Sequence, residues 1–427
     1  MLLKTYRILL FLAAPFLVAL MWLRAMRGHE EKGHLKERRG IATVPRPQGR
    51  VVWIHAASVG EMQSIIPLVN RLLAQNDDLS CLITTVTVTA ARLVRRIKNT
   101  RMIHQYAPLD RQAWVERFLN HWKPEACVWV ESEFWPNTME LIAKRGTPLM
   151  LVNGRLSQRS ADRWAMAPIT SAHLLGLFDV SLAQSPEDGA RLKSIGAKNI
   201  EIAGNMKYSG GKLPYDEAAY NLMHMQVGER PVVLFASTHK GEELMAAHAI
   251  KTISAKMPNV LGIIMPRHPK RGDAVAAELE KENLPLARRS LQQPIAANTQ
   301  IYLADTLGEA GLFYRLAPIV YIGNSLISSP GGGHNPIEPA QLDCAIIYGP
   351  HMWNFSEVER DLRDAGGALL VRDERSLIAA LEKLLSDRSK IDALASAAAQ
   401  FVSIQNGVLD KVALHLRPTL AKAGIAA

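Results

Sequence analysis

The chain has 427 residues, 48% of them hydrophobic and 21% charged, with a formal net charge of +10 and three cysteines. That length exceeds one ordinary core and points to two domains of about 150–200 residues each, while the composition excludes a fibrous, low-complexity or disordered protein. Cys81, Cys127 and Cys344 lie scattered in apolar runs; their spacing forms no zinc site or disulfide framework and fits buried thiols in a reducing compartment.

The charge is concentrated at one end. Residues 1–50 hold ten Lys/Arg against three Glu, a surplus of seven. An apolar run from Ile8 to Leu23, interrupted by Pro15, is preceded by Lys4 and Arg7 and followed by Arg24, Arg27, Lys32, Lys36, Arg38 and Arg39. Sixteen residues fall short of the ~20 a spanning helix needs, and no small-x-small cleavage site follows, against a removed signal peptide. A basic, Trp22-edged apolar segment fits attachment to an anionic membrane with its positive flanks on the cytoplasmic side. An amphipathic core helix is the plainer alternative. Nucleic acid is not the expected partner, because the basic residues surround an apolar stretch without interleaved stacking aromatics.

After residue 50, short apolar runs alternate with helical patterns. Strands are expected at 51–55, 80–86, 102–107, 126–131, 148–152, 179–183 and 200–203, with helices at 62–75, 88–99, 111–121, 136–145 and 186–195. Residues 208–231 open on Gly-Gly, carry no strand pattern and read as a linker. A second series follows, with strands at 231–236, 260–265, 300–304, 318–322, 344–348 and 367–371. Its helices are expected at 240–257, 272–283, 336–342, 355–364 and 375–386. This rhythm predicts two α/β domains, each built on a parallel sheet.

Polar residues gather where the strand patterns stop. In open parallel sheets ligands bind outside the carboxyl ends of the strands, so two such sheets facing one cleft would bring both sets of residues to it. In Ser58-Val59-Gly60-Glu61, after the first strand, Glu61 has two readings: partner of Ser58 in a capping box, or a catalytic base. Pro266 and Pro269 stiffen the loop around Arg267, which is suited to a phosphate or to a plain surface turn. Asp305, Gly308 and Glu309 stand at another strand end, where Glu309 reads as a cap or a sugar contact. In the segment 323–341, glycines 331–333 lead to Asn335, Pro336 and Glu338, expected as N-cap, N1 and N3 of a helix that would receive an anion. Neither a G-x-x-x-x-G-K-[ST] loop nor G-x-G-x-x-G occurs, which excludes P-loop and dinucleotide readings. No D-x-D or His/Cys cluster with metal spacing occurs either, so no metal or cofactor is expected.

Taken together, SVGE (58–61), TTVTVT (84–89), ESEFWPN (131–137), GNMK (204–207), STHKGEE (237–243), PRHP (266–269), DTLGE (305–309), GGHNPIEPA (332–340) and GPHMWNF (349–355) resemble the transferases of 3-deoxy-D-manno-octulosonic acid (Kdo). The resemblance runs from the N-terminal segment to about residue 415. It implies a GT-B fold, with two Rossmann-like parallel-sheet domains facing an interdomain cleft and an N-terminal membrane-anchoring helix. It divides the chain into an anchor and basic segment at 1–40, an acceptor-binding domain at 41–210 and a donor-binding domain at 211–427.

The implied reaction is inverting transfer of Kdo from CMP-Kdo to a lipid A precursor, lipid IVA, on the cytoplasmic side of the inner membrane in lipopolysaccharide assembly. By motif, Glu61 corresponds to the general base, and Glu131 and Lys207 to transition-state stabilisers. Pro266, Arg267, Leu307, Gly308, Glu309, Asn335, Pro336, Ile337 and Glu338 correspond to the CMP-binding positions. The sequence departs from the usual pattern at Gly323-Asn324-Ser325-Leu326, where Gly-Gly-Ser-Leu is commoner, and in a longer loop through 328–331. Another nucleotide-sugar transferase or epimerase of the same fold is the alternative within enzymes, and a non-catalytic membrane scaffold the alternative outside them.

Overall fold

A computed structural model describes residues 2–327, 332–404 and 407–427. The chain forms two units: one reaches to Gly210 and includes the C-terminal helix Val408–Lys422, and the other runs from Gly211 to Ile404. Each holds one sheet of seven strands. In the first unit these are β1 (Arg50–His55), β2 (Leu79–Thr85), β3 (Met102–Tyr106), β4 (Ala126–Val130), β5 (Leu149–Gly154), β6 (Val180–Ala183) and β7 (Ile200–Ile202), in the order β3-β2-β1-β4-β5-β6-β7. In the second they are β8 (Val232–Thr238), β9 (Leu261–Pro266), β10 (Leu286–Arg288), β11 (Ile301–Leu303), β12 (Ile319–Ile322), β13 (Ala345–Tyr348) and β14 (Ala368–Leu370), in the order β10-β11-β9-β8-β12-β13-β14. Every pairing is parallel.

The central strands are apolar almost throughout because both sheet faces are covered. Val52 and Ile54 face one core of the first unit, whereas Val51 and Trp53 face the other. In each sheet the order reverses beside the strand that opens the unit, between β1 and β4 and between β8 and β12. Such a switch point spreads the outgoing loops apart and leaves a crevice at the carboxyl ends. Four residues at these ends have left-handed backbones: Glu131 (φ 60°), Asn153 (φ 57°), Ser237 (φ 57°) and Asn324 (φ 58°). Asn153 and Ser237 also fall in register shifts of the β5–β6 and β8–β9 ladders. Left-handed backbone is costly for a residue with a Cβ, so its concentration at these ends is a mark of a working site.

Two domain assignments change. The C-terminal helix belongs with the first unit, since Val408, Val412, Leu416 and Leu420 form a stripe buried in its core. Residues 1–40 are likewise built into that unit. Arg38 is 2% exposed, paired with Glu30 and donating to the Ala107 carbonyl, while Glu37 accepts from the Tyr106 N–H. Ahead of them lie helices α1 (Leu2–Leu12) and α2 (Ala14–Met26). Tyr6 donates to Asp110 at 2.9 Å, and Arg7 donates to Asn137 at 3.0 Å and pairs with Glu140. Among the described residues no single helix is long and apolar enough to cross a membrane; α1 and α2 pass that test as a pair, but bent by 60°.

Expected strands 1–7 of the first unit and all six of the second are present. The short edge strand β10 and the helices Gln158–Ala165, Pro168–Leu175, Glu217–Val227, Ala310–Leu316, Arg388–Ile404 and Val408–Lys422 were not anticipated. The edge strand has only three residues, and the first two helices fall where no apolar stripe of helical spacing is long enough to read.

Candidate active site

The first unit brings Glu61, Glu131 and Lys207 to its switch point. β1 ends at His55, and the helix α3 (Val59–Gln75) begins four residues later with Ser58 as N-cap. Ser58 Oγ accepts from the Glu61 N–H at 3.3 Å and donates to Glu61 Oε1 at 2.8 Å, while Glu61 Oε2 accepts from the Ala57 N–H at 2.8 Å. The cap reading is therefore met, one residue earlier on the backbone than in the usual box. It is not the whole account. Burial, then the nearby Glu131 carboxylate, push the Glu61 carboxyl up to about 7 against the opposing bonds from Ser58 and Ala57, with Glu133 adding to the rise. A carboxylate that served only as a cap would be favoured as an anion by the helix terminus. Glu61 is instead balanced between its two forms near neutrality, which suits a group that takes a proton.

Glu131 follows β4, across the switch point from Glu61, and Lys207 Nζ lies 3.8 Å from its Oε1. The Lys207 loop is held from two sides. Asn205 Oδ1 accepts from the Lys207 N–H at 2.9 Å, and Asn153 Oδ1, on the bulged end of β5, accepts from the Met206 N–H at 2.9 Å. Asn153 is 1% exposed, and its Nδ2 has no hydrogen-bond partner among the described residues. His55, also buried, is bonded through Nδ1 to Thr84 Oγ1 and flanked by Trp129 and Trp135. Burial, reinforced by Arg38, lowers it to about 3, so it is neutral.

In the second unit, two adjacent carboxylates that the sequence reading passed over tie three loops together. Glu242 and Glu243 open the helix Glu242–Ser254, and both are fully buried. Glu242 accepts from the N–H groups of His239 (3.0 Å), Asn324 (2.7 Å) and Ser325 (3.3 Å) and from the Tyr321 hydroxyl (2.9 Å). Glu243 pairs with Arg271 at 2.8 Å, just past the Pro266–Pro269 turn. The loops after β8, β9 and β12 thus converge on one helix start. The visible signal was a Glu pair immediately after a strand-end Gly.

Arg267 is exposed, its backbone N–H pinned to the Thr238 carbonyl at 3.0 Å. It acts electrostatically on Glu338 and His334, so the structure gathers Pro266, Arg267 and 334–338. The helix expected at 336–342 is shorter than that range. It spans only Ile337–Ala340, with Pro336 rather than Asn335 at its N-cap. Asn335 Oδ1 accepts from the Ile337 N–H at 3.0 Å, and its Nδ2 donates to Glu338 Oε1 at 3.2 Å. Four residues interrupted by Pro339 have almost no dipole to offer an anion. Burial pushes the Glu338 carboxyl up, against the pull of Asn335 and then Arg267.

Gly332 and Gly333, ahead of that helix, are needed for packing. A Cβ on Gly332 would meet Trp353 N at 2.9 Å, and one on Gly333 would meet Met352 Sδ at 2.0 Å. They permit close packing on the 349–355 segment; residues 328–331, including Gly331, lie outside the described residues. Asn324, where Gly is commoner in the resembled pattern, holds its left-handed turn as only Gly and a few polar residues readily do. Its Nδ2 donates to the Gly332 carbonyl at 2.7 Å. Leu307 is 82% exposed, Gly308 has φ +84°, and Glu309 is held by Arg289 and Thr306, which keep its carboxyl acidic. Asp305 is a strut, accepting from Arg288 and Ser290. Among the described residues no group of three or more His, Cys, Asp or Glu is placed to hold a metal ion.

A family model described as 3-deoxy-D-manno-octulosonic-acid transferase (kdotransferase) matches residues 33–209. A 3-deoxy-D-manno-octulosonic acid transferase of Haemophilus influenzae is 34% identical over 429 residues, which cover 98% of each chain. This chain belongs to the Kdo transferase family. It is a glycosyltransferase, and the epimerase and scaffold alternatives fall away. Among solved structures, the C-terminal CMP-Kdo binding domain of WaaA from Acinetobacter baumannii is 33% identical, covering 43% of this Kdo transferase and 96% of that chain, with a TM-score of 0.41. A UDP-GlcNAc 2-epimerase from Neisseria meningitidis is 13% identical with a TM-score of 0.52, covering 87% of this chain and all of that one. That likeness concerns the fold alone, and it agrees with the GT-B class that the resemblance implies.

Proposed function

We propose that this Kdo transferase moves Kdo from CMP-Kdo to lipid IVA with inversion, in lipopolysaccharide assembly, and that Glu61 is its general base. The observation that carries the proposal is the Glu61 carboxyl, buried beside Glu131 and raised to about 7 although Ser58 and Ala57 bond to its ionised form. Glu61 takes the proton of the acceptor hydroxyl as that oxygen bonds to the anomeric carbon. The bond from that carbon to the CMP oxygen breaks, and CMP leaves with the electron pair. Positive charge developing on the sugar faces the Glu131 carboxylate, and Lys207 holds that carboxylate in register. CMP carries one phosphate, whose charge Arg267 is suited to offset, so the proposal calls for no metal clamp.

Membrane attachment on the cytoplasmic face of the inner membrane belongs to the same proposal. It is supported by the apolar side chains that α1 and α2 leave in solvent, among them Ile8, Phe11, Phe16 and Trp22, each at least 60% exposed. Surfaces of that kind beside basic residues mark lipid or protein contacts. The test is incubation of purified protein with continuously generated CMP-Kdo and lipid IVA, followed by mass analysis. A lipid product heavier by one or more Kdo units is expected; unmodified lipid with consumption of neither substrate would refute the reading.

A further inference from the structure

Helix α1 turns polar side chains toward the protein and apolar ones away from it. Ile8, Leu9, Phe11 and Leu12 are each at least 60% exposed. The half-buried face is Leu3, Tyr6, Arg7 and Leu10, at helical spacing. Two of those four are polar, so apolar burial alone does not account for the seat of this helix. Nothing in the proposed mechanism uses Tyr6 or Arg7.

Both reach the start of the helix Pro136–Lys144, which follows Glu131 in the chain. That start is poorly capped from within: its N-cap Trp135 supplies no side-chain bond, and Pro136 has no N–H to give. The next two N–H groups, of Asn137 and Thr138, go to a carboxylate from another loop, Asp110, at 3.0 and 2.8 Å. Asp110 also accepts the Thr138 hydroxyl at 2.6 Å, and its backbone carbonyl accepts Asn137 Nδ2 at 2.6 Å. Asp110, Asn137 and Thr138 are all buried.

The N-terminal segment holds this borrowed cap at three points. Tyr6 donates to Asp110 Oδ2 at 2.9 Å, Arg7 Nε donates to Asn137 Oδ1 at 3.0 Å, and the Leu109 N–H donates to the Arg38 carbonyl at 2.9 Å. The guanidinium of Arg7 also pairs with Glu140, one turn along the same helix, and His173 Nε2 contacts that carboxylate at 2.8 Å. Burial pushes the Asp110 carboxyl up against the bonds of Thr138, Asn137 and Tyr6, so each donor helps to keep the cap an anion.

Only five residues, 131–135, join β4 to that helix, and Glu131 stands first among them with a left-handed backbone. Such a conformation persists only where its surroundings over-determine it. A shift of the helix start is therefore passed on to the Glu131 carboxylate. We infer that Tyr6 and Arg7 are positioning residues for transfer, which makes α1 part of the frame of the catalytic loop in addition to the lipid contact proposed above. The inference rests on the role proposed for Glu131.

The test compares full-length wild type with the double variant Tyr6→Phe/Arg7→Met on lipid IVA dispersed in detergent, where anchoring is not needed. kcat should fall roughly tenfold, as for a small displacement of a reacting group, with the KM for CMP-Kdo and the melting temperature near those of wild type. Hydrogen exchange of the 131–138 amides should quicken several-fold, with the 59–66 amides unchanged. Should the double variant melt early, Tyr6→Phe alone, which removes one oxygen, carries the same test with a drop of roughly threefold. A folded variant with wild-type kcat in detergent, and a loss only on vesicles of phosphatidylglycerol and phosphatidylethanolamine, would overturn the inference and leave α1 an anchor. Unchanged exchange over 131–138 would overturn it as well. If wild type transfers nothing, the proposed function falls, and the exchange result still decides whether α1 holds the loop.

Discussion

Glu242 Oε2 accepts the backbone N–H of Asn324 at 2.7 Å, joining the helix Glu242–Ser254 to the loop beyond β12. The same carboxylate also holds His239, Ser325 and Tyr321, with no exposure to solvent. Removing it leaves four donors facing a void. Glu242→Ala should lower stability by about 3–5 kcal/mol, the usual cost of breaking a buried ionic network. Denaturant unfolding measures that, and a change under about 1 kcal/mol would show that the loops hold without it.

The Glu61 carboxyl gives two pH signatures. As a base it must be ionised, so kcat/KM should rise through about pH 7 and level off above it. Glu131→Gln removes the neighbouring charge that helps raise Glu61, so the residual activity of that variant should rise at a lower pH than wild type. The stability sign is separate. A carboxyl raised on folding costs nothing below its ordinary value of 4.5 and costs most above about 7. Glu61→Gln should therefore gain in melting temperature relative to wild type between pH 5 and pH 8, while losing transfer and keeping CMP binding. Loss of stability without loss of turnover would return Glu61 to a cap.

Lys207 and Asn153 should separate in their effects. Lys207→Met removes the cation 3.8 Å from Glu131 and should lower kcat roughly a hundredfold with the fold intact. Asn153→Ala loses the acceptor of the Met206 N–H, so kcat and melting temperature should both fall. Asn153→Gly removes the cost of the left-handed backbone and should recover part of the stability without recovering kcat. Equal kcat in Asn153→Gly and wild type would end its role in positioning Lys207.

Arg267 is exposed and its loop is fixed by Thr238, so Arg267→Ala should fold normally. The KM for CMP-Kdo should rise about tenfold or more, as for loss of a charge-assisted contact. Steady-state kinetics with an unchanged KM would remove Arg267 from the phosphate site.

Replacing Ile8, Phe11, Phe16 and Trp22 together by Ser changes side chains that pack on little of the protein. The variant should keep its melting temperature and its transfer to detergent-dispersed acceptor while losing sedimentation with anionic liposomes. This is a cleaner experiment than removing residues 1–25, which would also cut the Arg7–Glu140 and Tyr6–Asp110 links. Undiminished sedimentation would place the lipid contact elsewhere.

Much of this was legible in the chain itself. Strands buried on both faces must be apolar in nearly every position, so runs such as Val51–Ile54 and Ile319–Ile322 announce a parallel sheet locally. The polar residues at their ends, Glu61, Glu131, Asn153, Lys207, Arg267 and His239 among them, stand out because a parallel sheet puts its crevice there. Motif order then named the family. Capping by Ser58 was also readable, because a cap is settled within four residues.

What remained closed to the sequence depends on contacts between distant positions. Glu242 and Asn324 are 82 residues apart, and His239 and His334 are 95 apart. The C-terminal helix went unread, and its packing of Val408, Val412, Leu416 and Leu420 into the first unit's core joins positions more than two hundred residues apart. The short helix after Pro336 looked longer because periodicity does not reveal where the chain must turn into β13. Glu61 is the sharpest case. Its position at a strand end and its cap are sequence facts, whereas its balance near neutrality comes from burial and from Glu131, 70 residues on, and only the folded chain brings these together.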